Sequence, residues 1–255
     1  MPSKLELFAV PAFPLVRAGD DLAALVAGRL AAAGLALRDG DTVVLAQKVV
    51  SKAEGRFVDL TQVKPSPRAQ ALAQEVAKDP RLVEIILAES RRVVRSRENV
   101  LIVEHRLGLV MANAGVDQSN VADPEAGELA LLLPLDPDAS AQRLRAALSQ
   151  RYGCSLAVII NDSFGRPWRR GSVGVAIGCA GLTALDDLRG QPDMFGRTLR
   201  VTEVGLADEV AAAASLLMGQ ADEARPVVIV RGLTLEGEGT SAATLIRAPE
   251  EDLFK

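Results

Sequence analysis

SLAVIINDSFGRPWRRGS, residues 155–172, joins an apolar run to a segment with no Ala, Val, Leu or Ile. SLAVII is short and rich in apolar residues, which is the composition of a strand buried on both faces. Asp162 comes where that strand leaves the core. A carboxylate in such a place is held rigidly by the strand while its tip faces a crevice, a common position for handling a ligand. Ser163 stands beside it. Arg166, Arg169 and Arg170 either solvate the adjoining loop or meet an anion, and residue types alone leave both readings open.

Outward from this strand, the pattern predicts a mixed α and β chain. Asp20 and Asp21 cap an apolar-periodic helix over LAALVAGRLAAAGLAL, which ends at the turn RDGD and leads into a strand. TVVLAQKVVS reads as that strand, breaking into KAEGR with Lys48 and Lys52 flanking the break. From Ser66 to about Arg95 the spacing predicts helix, and NVLIVEHRLGLVMA a two-stranded hairpin. DPDASAQRLRAALSQRY is a helix with Asp136 or Asp138 capping its start. RTLRVT reads as a strand, LADEVAAAASLLMG as a helix capped by Gly219, and PVVIVRGL as a final strand.

Composition bounds the function. With 49% hydrophobic and only 3% aromatic residues, the core must be built from Ala, Val, Leu and Ile, which suits many small helix–sheet contacts. The net charge of -4 is spread along the chain with no basic stripe, so nucleic acid is not an expected partner. No apolar run reaches about 18 residues and no leader pattern opens the chain, so the expectation is a cytoplasmic protein without a membrane partner. Cys154 and Cys179 are too few for a metal cage and read as inert core thiols. His105 stands alone, which removes His-based triads. Catalysis then falls to carboxylates, amides, hydroxyls and cations.

NAGVDQSN, residues 113–120, is either a turn or a loop that holds a carboxylate and amides against a ligand. No Gly-Lys dipeptide occurs, which excludes a P-loop. GEGTSA at 237–242 imitates a dinucleotide fingerprint, but too little chain comes after it for the rest of that unit, so it reads as a loop. What remains is Asp117, Asp162 and Ser163 with Lys48, Lys52 and the three arginines. Hard oxygen ligands suit Mg²⁺ or Mn²⁺, ions that accompany phosphoryl transfer, and lysines can hold phosphates as point charges. The residues alone indicate an enzyme that handles metal and phosphate.

LAQKVVSKAEGR, ESRRVVR, MANAGVDQSN, DPDASAQRLR, NDSFGRPWRRGSVGVAIGCAGL, DLRGQPDMFGRTL, ADEVAAAASLLMGQA and VVIVRGL, in this order across nearly the whole chain, resemble the coenzyme F420-0:L-glutamate ligase family. The resemblance implies one α+β unit over residues 1–255, with the two-lobed fold of that family and an intertwined homodimer. It implies a ligase that joins L-glutamate to the deazaflavin coenzyme F420-0 at the expense of GTP, with two divalent ions and often potassium. By the same resemblance Asp117, Asp162 and Lys52 are catalytic. Asp117 and Asp162 would hold one ion, and Ser163 and Gln220 the second. Phe13, Pro14, Leu15, Val16, Gln47, Lys48, Lys52, Asn120, Met218, Gly219, Gln220, Ala221, Asp222 and Arg225 would bind GTP.

Three departures matter. Asn161 and Ser163 replace threonines common in that family, and a serine hydroxyl can still coordinate. Gln220 stands where an acid is frequent, which should weaken the second ion. The EHRLG stretch gives His105 no role. Two other readings share this pattern: a ligase for another pterin- or flavin-like acid, and a nucleotide-binding regulator without turnover.

Overall fold

The computed structural model describes residues 3–121, 127–235 and 239–252. The chain begins β1 (Glu6–Ala9), α1 (Leu22–Ala32), β2 (Thr42–Ala46), α2 (Gln47–Ala53) and β3 (Phe57–Asp59). It continues through α3 (Pro67–Val76), α4 (Pro80–Ala88), β4 (Ser90–Arg97), β5 (Val100–His105), β6 (Val110–Ala112) and β7 (Leu129–Leu131). The remainder is α5 (Pro137–Tyr152), β8 (Ala157–Gly165), β9 (Ser172–Ala180), β10 (Asp186–Asp187), β11 (Glu203–Val204), α6 (Leu206–Met218) and β12 (Val227–Arg231).

A five-stranded sheet, in the order β1-β12-β2-β8-β9, forms the centre. Only β2 and β8 run parallel, with Ala46 opposite Asn161 as their last pair. Successive side chains on a strand face opposite sides, and both sides are used here. Val43, Leu45, Val158, Ile160, Val227 and Ile229 pack with α1 and α5. Val44, Ala157, Ile159, Val228 and Val230 pack with α6. That is why these strands read as continuous apolar runs and not as alternating ones. A third core gathers α3, α4, β5 and the buried Leu60 and Ala130, beside the three-stranded sheet β4-β5-β6.

Of Asp20 and Asp21 only the second caps α1, because Asp20 Oδ2 turns back to accept the Arg17 amide at 2.7 Å. Asp21 Oδ1 accepts from the Ala24 amide at 3.0 Å and Asp136 Oδ1 from the Ala139 amide at 2.9 Å. Gly219 ends α6 at φ 73. The hairpin β5–β6 and the final strand β12 form as predicted. Asp138 does not cap. Its Oδ1 accepts from the amides of Cys179 and Ala242 at 2.8 Å each and staples β9 to a 3-10 turn.

Four stretches differ from the sequence reading. TVVLAQKVVS is a strand only to Ala46; QKVVSKA is α2, locked by the buried pair Ser51 Oγ to Gln47 Oε1 at 2.9 Å one turn apart. The stretch from Ser66 to Arg95 is not one helix, because Ala77 at φ 50 stops α3 and Asp79-Pro80 starts α4. SRRVVRSR then becomes a strand, since β5 offers it a ladder. SLAVII does not stop at Ile160 but runs to Gly165 as a hairpin with β9. RTLRVT is not a strand: Thr198 makes one isolated bridge, and the pairing strand is Glu203–Val204, because this arm has no core to pack on and leaves Val201 85% exposed. Cys179 is buried as expected, whereas Cys154 is only partly so. Of GEGTSA, Gly237 and Glu238 lie outside the described residues; Ser241 precedes a 3-10 turn starting at Ala242 without a side-chain capping bond.

Candidate active site

β2 and β8 end side by side, and the segments just beyond those ends build the site. Past the Ala46–Asn161 pair, β2 turns into α2 and presents Gln47, Lys48 and, one turn on, Lys52. β8 runs on and presents Asp162 and Ser163. A cleft of about 950 Å³ opens over these strand ends, the usual place for a ligand in a sheet with parallel strands. Its walls are Phe13–Ala18, the α2 face, Asn120–Val121, and the loop Met218–Pro226 at the end of α6.

NAGVDQSN is both a turn and a carboxylate holder. Asn113, Ala114, Gly115 and Asn120 all take left-handed φ between 53 and 65. A Cβ on Gly115 would lie 2.9 Å from the Leu133 side chain, so only glycine fits there. The backbone of Asp117 bonds to Leu131 in both directions, at 2.9 and 2.8 Å, and this fixes its carboxylate. Lys48 Nζ lies 3.4 Å from Asp117 Oδ2, and Gln47 Nε2 donates to the same oxygen at 3.4 Å. Asp117 is not itself a lining residue; it stands behind Gln47 and Lys48.

The lysines tie this loop to α2. Lys48 Nζ donates to Ser119 O at 3.2 Å and Ser119 Oγ at 3.3 Å, and Lys52 Nζ to Asn120 O at 2.6 Å. Asn120 Nδ2 in turn donates across the cleft to Ala221 O at 3.2 Å. Ser163 Oγ donates to Gln220 Oε1 at 2.8 Å. Every residue expected to bind GTP lines this one cleft, as do Ser163 and Asp162. Arg166, Arg169 and Arg170 do not; they sit at the tip of the β8–β9 hairpin.

Electrostatics single out the two acids. Burial pushes the Asp162 carboxyl up to about 6, the Ser163 amide opposes this, and the nearby Asp117 charge adds to it. Burial also raises Asp117, with Lys48 pulling the other way. Two carboxylates that stay costly to ionise side by side form a seat for a cation. Burial and the Lys48 charge lower Lys52. Among the described residues no group of three or more His, Cys, Asp or Glu converges, so neutral oxygens must complete any ion's shell.

Sequence reasoning missed several lining residues. Arg17 and Ala18 extend the first wall, and Phe57 and Leu129 come from β3 and β7. Glu223, within the expected 218–225 segment, folds back so that its carboxylate accepts from the Ala221 amide at 2.9 Å. Local pattern carries no signal for Phe57 and Leu129, because the strands that bring them to the cleft pair across 70 or more residues, whereas Arg17 and Ala18 simply continue the Phe13–Val16 wall.

The fold and the cleft define a mixed α and β protein that gathers paired carboxylates, lysines and amides at the ends of two parallel strands. A family model described as F420-0:Gamma-glutamyl ligase matches residues 12–232. The chain is 48% identical over 254 residues to the coenzyme F420:L-glutamate ligase of Methanothermobacter thermautotrophicus, covering 98% of this chain and 99% of that protein. It is 47% identical over 255 residues to the protein of the same name from Methanopyrus kandleri, covering 98% of each. For the one from Archaeoglobus fulgidus the figures are 43% over 252 residues, 99% of this chain and 97% of that protein. This chain belongs to the F420-0:gamma-glutamyl ligase family.

Proposed function

We propose that this protein joins L-glutamate to coenzyme F420-0, with GTP phosphorylating the acceptor's terminal carboxylate. The observation that carries the reading is the convergence of Asp162, Lys48, Lys52 and the 218–225 loop on one cleft, with Asp117 held against Lys48 just behind it, in a chain of this family. A carboxylate does not react usefully with an amine, because its oxygen is a poor leaving group. Transfer of the GTP γ-phosphoryl to that oxygen gives an acyl phosphate and GDP. The glutamate nitrogen then attacks the acyl carbon, the C–O bond to phosphate breaks, and the amine sheds a proton.

The chain's own groups suit these steps. Lys48 and Lys52 hold phosphate oxygens as point charges, and Lys52, fixed against the Asn120 carbonyl, needs little reorganisation to do so. Asn120 and the 218–225 loop close the nucleotide between α2 and α6. The donors fit hard divalent ions: Asp117 and Asp162 for one, Ser163 and Gln220 for a second, whose shell the nucleotide would complete. When bound, Mg²⁺ or Mn²⁺ neutralises charge on the phosphoryl oxygens. A potassium requirement and a homodimer belong to the same reading.

Incubation with F420-0, glutamate, GTP and Mn²⁺, with mass spectrometry of the products, tests it. Added glutamyl units are expected, with phosphate release that requires both glutamate and acceptor. Nucleotide binding without phosphate release or product would point to the regulator instead, and phosphate release that needs neither glutamate nor acceptor would overturn the ligase reading. Parallel reactions with ATP and without potassium test those two requirements.

A further inference from the structure

We propose that the tip of the β8–β9 hairpin is the acceptor subsite, with a planar heteroaromatic ring lying on Trp168 and acidic groups of the same molecule pairing with Arg169 and Arg170. The proposal rests on the ligase reading above and adds where the acceptor is held.

Trp168 is the chain's one tryptophan. It is 89% exposed and sits at φ 65, a region that bulky side chains rarely adopt. Neither burial nor backbone preference accounts for an indole there; glycine would suit the position better. An outlier of this kind, kept against both, points to a role in binding.

The tip is also ordered and cationic. Arg166 Nη1 donates to Gly171 O at 3.0 Å and closes it. Arg169 and Arg170 are exposed, and among the described residues no acidic side chain pairs with them. The cleft lining along β8 stops at Ser163, and the strand continues through the pairs Phe164–Val173 and Gly165–Ser172 to the tip. At about 3.3 Å per residue the tip begins roughly 10 Å beyond Ser163. An acceptor whose reacting carboxylate meets the nucleotide near Asp162 and Ser163 would extend its body along this hairpin. Planar rings stack on indole and guanidinium faces, and arginine pairs with acid groups through paired hydrogen bonds.

Steady-state kinetics with F420-0 test the subsite. Trp168→Ala should raise KM for F420-0 about tenfold, Trp168→Phe should restore most of it, and KM for GTP and glutamate should stay within about twofold. Trp168 fluorescence supplies a readout independent of turnover. Riboflavin 5′-phosphate, a planar anionic probe, should quench it saturably in the wild type and about tenfold more weakly in an Arg169→Ala/Arg170→Ala variant. An unchanged acceptor KM in Trp168→Ala would overturn the proposal. So would a change that tracks loss of a dimer in light scattering, because the indole would then be covered by a second copy. If the wild type fails to ligate F420-0 while the probe still binds in this arginine-dependent way, the activity reading falls and the subsite stands.

Discussion

At the residue scale, each acid in the cleft has a separable consequence. Asp117→Ala and Asp162→Ala each remove a charged oxygen from the proposed cation seat, and each should cut ligation by more than tenfold, a barrier increase above roughly 1.4 kcal/mol. Circular dichroism should stay near normal, since Asp162 lines the cleft and Asp117 pairs with Lys48 behind it, and neither belongs to a hydrophobic core. Turnover above about a tenth of wild type at saturating Mn²⁺ would remove either residue from the ligand set. Gln220 is the subtler case. Its carbonyl, bonded to Ser163 Oγ at 2.8 Å, is neutral where a carboxylate would attract an ion strongly. Calorimetry without nucleotide is expected to show at most one tight metal site, and Gln220→Glu to tighten a second. Two equally tight sites in the nucleotide-free wild type would shift the missing ligand to Asp222 or Glu223.

At the element scale, Glu89 at the end of α4 joins three pieces of structure. Arg56 Nη2 lies 3.0 Å from Glu89 Oε2, Arg106 donates to Oε1, and His105 Nε2 stands 3.6 Å away. Burial would raise this carboxyl from its ordinary 4.5, but His105, Arg106 and Arg56 outweigh it and hold it at about 2. A depressed folded-state value means stabilisation that is complete above pH 4.5 and is lost as pH falls toward 2. Glu89→Ala, which strands the half-buried Arg56, should cost roughly 3 kcal/mol near neutral pH. Glu89→Gln should be less stable than wild type at pH 6, with the gap narrowing by pH 3 in urea titrations. A constant gap would show that the ion cluster does not contribute to acid sensitivity. His105, given no role by sequence, belongs to this cluster, and its Nδ1 accepts the Leu107 amide at 2.9 Å.

At the scale of the whole molecule, the arm from β10 to β11 is the outstanding feature. Met194, Phe195 and Val201 are each at least 85% exposed, and Asp193 Oδ1 orders the tip by accepting the amides of Phe195 and Arg197. Apolar side chains held out in an ordered arm suit contact with a second copy, in keeping with the proposed homodimer. Light scattering at micromolar concentration should give twice the 26.9 kDa chain mass. Replacing Met194 and Phe195 by serine should weaken the dimer, and a 26.9 kDa wild-type particle would count against it. No helix among the described residues is long and apolar enough to cross a membrane.

Features that local chemistry encodes could be read from the chain directly. Asp21, Asp136 and Gly219 mark helix ends because side-chain caps and left-handed glycines act within a few residues. VVIV and AVII are buried strands because apolar runs of that length need cover on both faces. The family was legible too, since eight ordered blocks span most of the chain. The remaining choices are non-local and were made only on folding. QKVVSKA and SRRVVRSR fit helix and strand about equally well, and the core that buries Val49 and Val50 in one case and the ladder from β5 in the other made the choice. Asp117 and Lys48 are 69 residues apart in sequence, Ser163 and Gln220 57. Each pair meets only because β2 and β8 end together and α6 returns beside them, and no periodicity in the chain records that closure.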